Sequence, residues 1–485
     1  MLVAGRENEK RRMRHLMESG KAEFLAVYGR RRVGKTFLIR EFFKKDLCFQ
    51  MSGTYGASTE DQLYSFTEAL APLHRGKVPL SVPKGWREAF SQLKESLEKM
   101  PKSRRKGAQR VIFFDELPWL DTHRSRFLSA LGYFWNDWAS QQKDVILVVC
   151  GSAATWMIRR LLFDRGGLHN RVTARMNLEP FSLAEVESFL RMRGMKLTRK
   201  QVAEVAMVTG GVPHYLNEVQ KGRSVEQIIM DLCFRKSSLL RDEFDKLYHS
   251  LFAYADKHVE VVRALAKKRT GLTRGEIVKA TSLVSGGGLT SVLRELEESG
   301  FIAGTLPYGK RKKDIHYRLI DEYSHFYLTW IEPAKRRKQS WQKVVGNAKW
   351  KAWSGYAFES LCHRHIPQIK AALGVAAVST EVSTFRKEGK GKSVQGAQID
   401  LVIDRADGVI HLCEVKFSAA PFGIDKRYAA ELQNKLDVFQ AELGSRKALF
   451  LTFITASGLK KNDYQGVLVQ QEVELDDLFR AILDD

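Results

Sequence analysis

The chain has 485 residues, too many for one ordinary hydrophobic core, and its 44% hydrophobic and 28% charged residues are typical of a globular protein. Its net charge of +23 favours a polyanionic partner such as nucleic acid, although a solvated basic surface would give the same count. The five cysteines form no C-x-x-C pair, the amino terminus does not look like a signal peptide, and no apolar stretch could span a membrane, so we expect a cytoplasmic protein.

The first informative segment is a loop with the pattern G-x-x-x-x-G-K-[ST]. A predicted buried strand, Phe24–Tyr28, precedes it, and apolar residues at helical spacing, Phe37–Phe43, follow it. Such a loop wraps backbone N–H groups around phosphate oxygens, while Lys35 reaches the β- and γ-phosphates and Thr36 binds Mg²⁺. We predict a site for ATP and Mg²⁺, with a decorative glycine-rich turn as the alternative. The predicted nucleotide-binding residues of the loop are Gly29, Arg30, Arg31, Arg32, Val33, Gly34, Lys35 and Thr36.

An acidic pair follows further along the chain. A second predicted strand, Leu47–Met51, is followed by residues 58–100, whose apolar spacing predicts helix, and then by the apolar run Val111–Phe114. At the end of that run, Asp115 would hold Mg²⁺ and Glu116 would orient and deprotonate the attacking water. We predict both roles, with an ordinary strand end as the alternative.

Two further polar residues follow predicted strands. Ser152 comes at the carboxyl end of the buried strand Val145–Cys150, where a γ-phosphate sensor would lie. Arg171 precedes the last predicted strand of this region, Ala174–Leu178. We predict it as an arginine finger that stabilises charge in the transition state, with an ordinary surface arginine as the alternative.

These features together resemble an AAA+ ATPase, and more narrowly the archaeal-type ATPases related to the signal-transducing STAND class. The resemblance implies a parallel sheet with an extra strand between the two phosphate-site motifs, followed by a helical lid. A Gly-Gly-Val-Pro turn would face the nucleotide from that lid, so Pro213 becomes a predicted nucleotide contact. No lid arginine is evident, and a homo-oligomer or a protein partner is left open. The segments that carry the resemblance are Gly5–Glu7, the arginine-filled loop, Phe114–Glu116, Cys150–Ser152 and Gly210–Leu216.

The middle of the chain predicts a winged helix-turn-helix. A helix over His258–Lys268 is followed by a second helix capped by Thr273, a glycine break and a third helix over Leu289–Ser299. A hairpin then follows, with the basic tip Tyr308–Lys313, which we call the wing. We predict that Lys310, Arg311, Lys312 and Lys313 contact DNA phosphates, with protein packing as the alternative.

The last part of the chain predicts a second chemistry. Ile399–Asp404 and Val409–Lys416 predict a hairpin with a three-residue turn ending at Gly408. That register pairs Arg405 with Val409 and puts Asp400 opposite Glu414, on the face that Lys416 shares. A two-residue turn would move Asp400 to the other face. Facing carboxylates repel unless a cation lies between them, so we predict a Mg²⁺ site, with Lys416 beside it to orient water or stabilise charge.

Asp400 with Glu414-Val415-Lys416 resembles the PD-(D/E)XK nuclease core, with Ile399 in the place of the proline. The resemblance implies that Glu359, on a helix over Trp350–His363, is a further metal ligand, and that Mn²⁺ can replace Mg²⁺. A degenerate nuclease fold kept for binding is the alternative. A following helix over Asp425–Gln440 offers Lys426, Arg427 and Lys435 to DNA phosphates, before a strand at Leu449–Phe453.

The predicted fold class is therefore α/β: a P-loop AAA+ parallel sheet with a helical lid, then a winged helix-turn-helix, then a PD-(D/E)XK-like domain. The predicted boundaries are 1–180 for the ATPase core, 181–254 for the lid, 255–330 for the winged helix, 331–345 for a linker and 346–485 for the nuclease-like domain. The predicted function is an ATPase whose nucleotide state controls DNA binding and metal-dependent DNA cleavage. A non-cleaving ATP-driven switch is the alternative.

Overall fold

The fold comes from a computed structural model. The structure describes residues 3–74, 80–101, 105, 107–162, 168, 170–337, 341, 346–389, 396–443 and 447–482. These residues form two compact units, Met1–Pro180 and Phe181–Asp485. Across the described ranges, no helix combines the length and the apolar character that crossing a membrane requires.

The first unit is built on a five-stranded parallel sheet. Its strands occur in the order β2-β3-β4-β1-β5, so β4 lies between the strand before the phosphate loop and the strand that ends in Asp115. The predicted extra strand between the two phosphate-site motifs is thereby confirmed. Every residue of β4 is buried, which explains its unbroken run of apolar side chains. The strands are β1 (Glu23–Tyr28), β2 (Leu47–Ser52), β3 (Arg110–Asp115), β4 (Val145–Gly151) and β5 (Ala174–Asn177).

Helices cover this sheet. The prediction of helix over the whole of residues 58–100 was wrong in its middle, because two separate helices occupy this range. The capping box at Ser58 starts the first helix, and the second begins only after Pro83 and Gly85, which a continuous helix would not accommodate. The helices are α1 (Glu7–Glu18), α2 (Lys35–Phe42), α3 (Thr59–Leu70), α4 (Trp86–Glu98), α5 (Leu117–Leu120), α6 (Phe127–Asp137) and α7 (Ala154–Trp156).

The second unit begins with a group of helices. Ser182 and Thr198 each form a capping box, so two helix starts in this region are set by local sequence. Gly210 and Gly211 both have positive φ, and the latter packs against the carbonyl oxygen of Phe181 too closely for a side chain. The helices are α8 (Leu183–Met192), α9 (Arg199–Thr209), α10 (Pro213–Leu216), α11 (Val225–Ile229) and α12 (Glu243–Leu251).

Three helices and a small antiparallel sheet follow. Thr273 caps the second of these helices, as the sequence predicts, and the structure adds a capping box with Glu276. The strands occur in the order β6-β8-β7, and the segment between β7 and β8 carries the wing. The elements are α13 (Ala255–Ala266), β6 (Leu272–Thr273), α14 (Arg274–Ala280), α15 (Gly287–Glu298), β7 (Ile302–Thr305) and β8 (His316–Leu319).

The segment predicted as a linker, residues 331–345, is not simply extended. The helix α16 (Glu322–Phe326) precedes it, and the helix α17 (Glu332–Arg337) lies within it. Trp341 is buried, and its ring stacks on Phe234 with the centroids 4.6 Å apart. The rest of that segment, residues 338–340 and 342–345, lies outside the described residues.

The chain ends in a five-stranded mixed sheet of order β13-β12-β11-β10-β9. Its β9, β10 and β11 are antiparallel, while β12 and β13 run parallel to β11. One continuous hydrophobic core joins this sheet to the preceding helices of the second unit. The elements are α18 (Ala348–Arg364), α19 (Ile366–Ala372), β9 (Thr380–Lys387), β10 (Ala397–Arg405), β11 (Val409–Lys416), α20 (Lys426–Leu443), β12 (Ala448–Thr455), α21 (Asp463–Leu468) and β13 (Gln471–Glu474).

Candidate functional site

The phosphate loop joins β1 to the first turn of α2. Its two glycines have φ angles of 138° at Gly29 and 90° at Gly34, which other residues rarely adopt. A side chain at Gly29 would come within 2.3 Å of the carbonyl oxygen of Leu178, so this glycine lets the loop pack against the chain after β5. Arg30 and Val33 are buried, while Arg31 and Arg32 are half-buried.

Lys35 and Thr36 have the surroundings that a nucleotide with Mg²⁺ requires. The buried Lys35 ammonium donates to the carbonyl oxygens of Gly29 and Arg30 and to Ser152 Oγ, at 2.9 to 3.1 Å. Thr36 Oγ1 donates to Asp115 Oδ2 at 2.7 Å. A hydroxyl and a carboxylate side by side are hard oxygen ligands that fit Mg²⁺, and the lysine supplies the charge that a phosphate needs.

Glu116 is held in an unusual backbone conformation directly after β3. Its φ is 46°, which is uncommon for any residue except glycine and is found at functional sites. Its carboxylate accepts two hydrogen bonds from Ser152, one from the hydroxyl at 2.6 Å and one from the backbone N–H at 3.1 Å. Ser152 therefore links Lys35 to Glu116 across the ends of neighbouring strands.

Arg6 supports the loop and had no assigned role in the sequence analysis. Its buried guanidinium donates to the carbonyl oxygen of Val33 at 3.2 Å and to that of Glu179 at 2.7 Å. It thereby ties the phosphate loop to the end of the sheet. The Gly5–Glu7 motif in the sequence indicated that this position matters. The motif alone does not reveal which carbonyl groups the arginine binds.

Two predicted nucleotide contacts remain predictions. Arg171 is exposed in the turn before β5. Pro213 is the first residue of α10 and belongs to the second unit, following the paired glycines Gly210 and Gly211. Neither observation tests their roles as an arginine finger or as a lid contact.

The carboxyl-terminal hairpin has the register that the sequence predicts. Leu401 pairs with Cys413 and Asp404 with Ile410, and continuing this register sets Asp400 opposite Glu414. Pairing of β10 with β9 shifts between Ile399 and Val402, so Asp400 lies at a β-bulge, a feature that re-aims side chains beside active sites. Asp400 Oδ2 accepts from the backbone N–H of Val415 at 3.2 Å.

Glu414 is buried among hydrogen-bond donors and cations. Tyr428 donates to its Oε2 at 2.9 Å, Lys435 donates to its Oε1, and Lys416 lies 3.5 Å away. The same Lys416 ammonium lies 4.9 Å from the centre of the Tyr428 ring. Lys435 was predicted to serve DNA phosphates, but here it pairs with Glu414, because helical spacing puts it on the same face of α20 as Tyr428.

Glu359 reaches the same region from α18. Its carboxylate accepts from the buried guanidinium of Arg318 on β8 at 2.6 Å. Burial, and then the charges of Glu414 and Glu359, raise the pKa of Asp400 to about 7. Asp400 is therefore close enough to Glu414 and to Glu359 for their negative charges to act on it.

The fit of this region to a metal is partial. No group of three or more His, Cys, Asp or Glu side chains able to hold a metal ion is found in the part of the chain that the structure describes. Asp400 and Glu414 offer oxygen ligands on one face, which suits Mg²⁺, but Glu359 is engaged by Arg318. A hairpin register can be deduced from the sequence, whereas the distant partners Arg318 and Tyr428 cannot.

Comparison with known proteins gives a family match in the first part of the chain. Residues 4–219 match a family described as an ATPase domain found predominantly in Archaea. An uncharacterized protein of Methanocaldococcus jannaschii is 24% identical over 338 residues, which are 68% of this chain and 69% of that protein.

Solved structures agree on the fold. The Walker-type ATPase of Pyrococcus abyssi is 17% identical, covers 67% of this chain and 96% of its own length, and gives a TM-score of 0.51. The ORC2 protein of Aeropyrum pernix is 11% identical over 69% of this chain and 95% of its own length. Its TM-score of 0.42 is too low to support a shared fold. Residues 4–219 are thus similar to an archaeal-type ATPase domain, and the parallel sheet of the first unit has the fold of a Walker-type ATPase.

Proposed function

We propose that the protein binds and hydrolyses ATP, and that its nucleotide state controls DNA binding and metal-dependent DNA cleavage by the carboxyl-terminal sheet. The hydrogen bond of 2.7 Å between Thr36 and Asp115 carries the ATPase part of this proposal, since it puts two Mg²⁺ ligands together beside Lys35. DNA is the proposed partner because the chain has a net charge of +23. A homo-oligomer would let the exposed Arg171 act on the nucleotide of a second copy.

Each residue of the phosphate site has a separate task. Lys35 neutralises the β- and γ-phosphates, and the loop N–H groups orient them. Bound Mg²⁺, held by Thr36 and Asp115, supplies charge stabilisation at the phosphate oxygens. Glu116 accepts a proton from the attacking water, and Ser152 keeps its carboxylate in position through two hydrogen bonds.

Substitution of Lys35 and Glu116 separates binding from hydrolysis. Lys35→Ala should abolish ATP binding, because the phosphates lose their main point charge. Glu116→Gln should bind ATP but hydrolyse it about 10² to 10⁴ times more slowly, since binding does not need a proton acceptor. Binding is measured with a fluorescent ATP analogue and hydrolysis by phosphate release. The exposed Lys143→Ala and Glu98→Gln are matched controls, and wild-type hydrolysis by Glu116→Gln would rule out its proposed role.

The cleavage part of the proposal is supported by the hairpin. Asp400 and Glu414 face each other at a β-bulge with Lys416 on the same face, as a PD-(D/E)XK nuclease would require. The three helices and small antiparallel sheet within residues 255–330 support the interpretation of that region as a winged helix, which would present its basic wing to DNA.

A non-cleaving switch is the second candidate, and a specific observation favours it. Glu414 is paired with Lys435 and Lys416, and Glu359 is paired with Arg318, so most of the acidic charge is already neutralised without a metal. In that case ATP would gate binding of DNA, and the carboxyl-terminal sheet would be a scaffold.

Incubation with plasmid and linear DNA distinguishes the two candidates. We expect cleavage with Mg²⁺ or Mn²⁺, modulated by ATP, and its loss in Asp400→Ala and Glu414→Ala, because each removes a metal ligand. Both variants should hydrolyse ATP at the wild-type rate. The exposed Asp437→Ala on α20 is the control for an acidic substitution in the same unit. Binding of DNA without any cleavage by the wild-type protein would favour the switch.

A further inference from the structure

A cavity of about 290 Å³ lies inside the second unit, between the wing-bearing module and the carboxyl-terminal sheet. Arg269, His316 and Arg318 line it from residues 255–330, and Glu359, Arg386 and Asp400 line it from the other side. Its volume is at the lower limit of pockets that take a small molecule, roughly 300 to 1,000 Å³. It therefore has room for one small polar ligand, about the size of a single nucleotide, and not for a nucleic acid duplex.

Two exposed arginines stand at this cavity on opposite sides. The Arg269 guanidinium lies 5.6 Å from the centre of the Tyr356 ring. Arg386, on β9, donates to Thr270 Oγ1 at 3.1 Å, a contact that bridges the module and the sheet. Arg386 also donates to the exposed Glu388 at 3.5 Å. Each guanidinium has five N–H donors in a planar fork, so these contacts leave donors for a phosphate. The cationic side chains thus come from two parts of the chain that only the fold brings together.

The two sides of the cavity are held in place by specific contacts. The backbone N–H of Tyr308 donates to the carbonyl oxygen of Thr384, opposite the β-bulge, at 2.9 Å. The Tyr308 hydroxyl donates to Asp404 at 3.2 Å, and its ring packs on Phe439 at 5.0 Å between centroids. These contacts, together with the pair of Arg318 and Glu359, make the cavity a preformed feature of the second unit.

We propose that this cavity binds one nucleotide of a single DNA strand, with its phosphate held by Arg269 and Arg386. The size of the cavity excludes a duplex, and planar guanidinium groups are suited to phosphate oxygens. The acidic Glu359 and Asp400 repel a phosphate, so it lies at the two guanidinium groups and away from these carboxylates. This inference rests on the proposed DNA cleavage. It identifies the substrate as an unpaired DNA strand or strand end, of which one nucleotide at a time lies beside the carboxylates.

Binding is tested by fluorescence anisotropy of a labelled single-stranded oligodeoxynucleotide with full-length protein in EDTA, so that no cleavage intervenes. The double variant Arg269→Gln with Arg386→Gln should bind it roughly tenfold more weakly for each lost charged hydrogen bond. Arg191→Gln, whose exposed side chain pairs with Glu187 on α8, is the matched control. ATP hydrolysis by the glutamine double variant at the wild-type rate verifies that it is folded. If its rate is lower, the double variant Arg269→Lys with Arg386→Lys provides a second test.

Competitors identify the ligand. Unlabelled single strand should displace the probe better than duplex of the same sequence and better than a free deoxynucleoside monophosphate. Equal competition by the free mononucleotide, stronger competition by duplex, or unchanged binding by both double variants would overturn the inference. Loss of strand binding in the glutamine variant, with no metal-dependent cleavage by the wild type, would refute the cleavage proposal and leave this site standing.

Discussion

Ser152 connects the two halves of the phosphate site. It receives a hydrogen bond from Lys35 at 3.1 Å and donates to Glu116 at 2.6 Å. Since Glu116 also has a strained backbone with φ of 46°, its carboxylate is fixed by both backbone and side-chain contacts. We therefore propose that Ser152 positions Glu116 for hydrolysis, while its role as a γ-phosphate sensor stays a prediction.

Ser152→Ala should slow ATP hydrolysis by roughly 10- to 100-fold, because a hydrogen bond to a charged group is worth about 1.5–3 kcal/mol. The kcat should fall more than the KM rises, since the loop still holds the phosphates. Steady-state phosphate release measures both constants. Ser96→Ala is the control, because that buried hydroxyl donates to the carbonyl oxygen of Gln92 within α4. Equal kcat values for the two variants would contradict the role of Ser152.

His365 is a buried residue whose protonation state is fixed by its hydrogen-bond partners. Its Nε2 accepts from the backbone N–H of Leu183 at 3.0 Å, so its Nδ1 carries the proton that is donated to the carbonyl oxygen of Leu361. Burial, and then the charge of Arg364, lower the pKa of His365 to about 4. A charged imidazole could no longer accept the hydrogen bond from the start of α8.

This predicts a loss of stability in mild acid. Because the folded-state pKa lies below the unfolded value, the stabilisation is present above about pH 6.5 and is lost as the pH falls towards 4. Between about pH 7.5 and 5.5 the cost should be about 1 kcal/mol of unfolding free energy. Urea unfolding at the two pH values should show a smaller difference for His365→Gln than for the wild type. His249→Gln, exposed on α12, should keep the wild-type difference.

At the scale of elements, the wing combines an anchored base with a charged tip. Tyr308 is fastened to the carboxyl-terminal sheet by two hydrogen bonds. Lys310, Arg311 and Lys313 beyond it are exposed, while the side chain of Lys312 lies outside the described residues. We keep the proposal that the exposed cations contact DNA phosphates. Because the base of the wing is anchored at Tyr308, the wing loses less conformational entropy when it binds.

Neutralising the wing should weaken DNA binding and flatten its salt dependence. With Lys310, Arg311, Lys312 and Lys313 all changed to Gln, the slope of log K against log salt should fall by about one unit for each lost phosphate contact. Anisotropy titrations over a range of NaCl concentrations measure the slope. Changing four exposed basic residues of the first unit, Arg11, Arg12, Arg14 and Lys21, to Gln is a charge-matched control. An unchanged slope in the wing variant would assign the DNA contacts elsewhere.

At the scale of the whole molecule, the chain separates into a nucleotide-binding unit and a second unit with one shared core. That core runs from Phe181 near the first helices to Phe479 near the end of the chain. Regions that the sequence divides into lid, winged helix and nuclease-like domain thus pack on one another. A change at one surface of this unit therefore has a continuous packed path to its other surfaces.

The sequence by itself determined the features that depend on neighbours along the chain. Local spacing was enough for the phosphate loop, the acidic pair after β3, the helix cap at Thr273 and the hairpin register that sets Asp400 opposite Glu414. Turn length and side-chain alternation fix such a register without any distant contact. The break between α3 and α4 was missed because the prediction followed the helical spacing of the apolar residues. It gave too little weight to Pro83 and Gly85, which interrupt a helix.

Only the tertiary structure decided which distant groups meet. Glu359 lies beside Arg318, Glu414 beside Lys435 and Tyr428, and His365 beside Leu183. Sequence periodicity gives the face of an element but not its neighbour, and a buried charge must take whichever partner the packing supplies. The same limit applies to the cavity, because its arginines belong to segments that are far apart in the chain and are brought together by tertiary contacts such as the docking of Tyr308 and the hydrogen bond from Arg386 to Thr270.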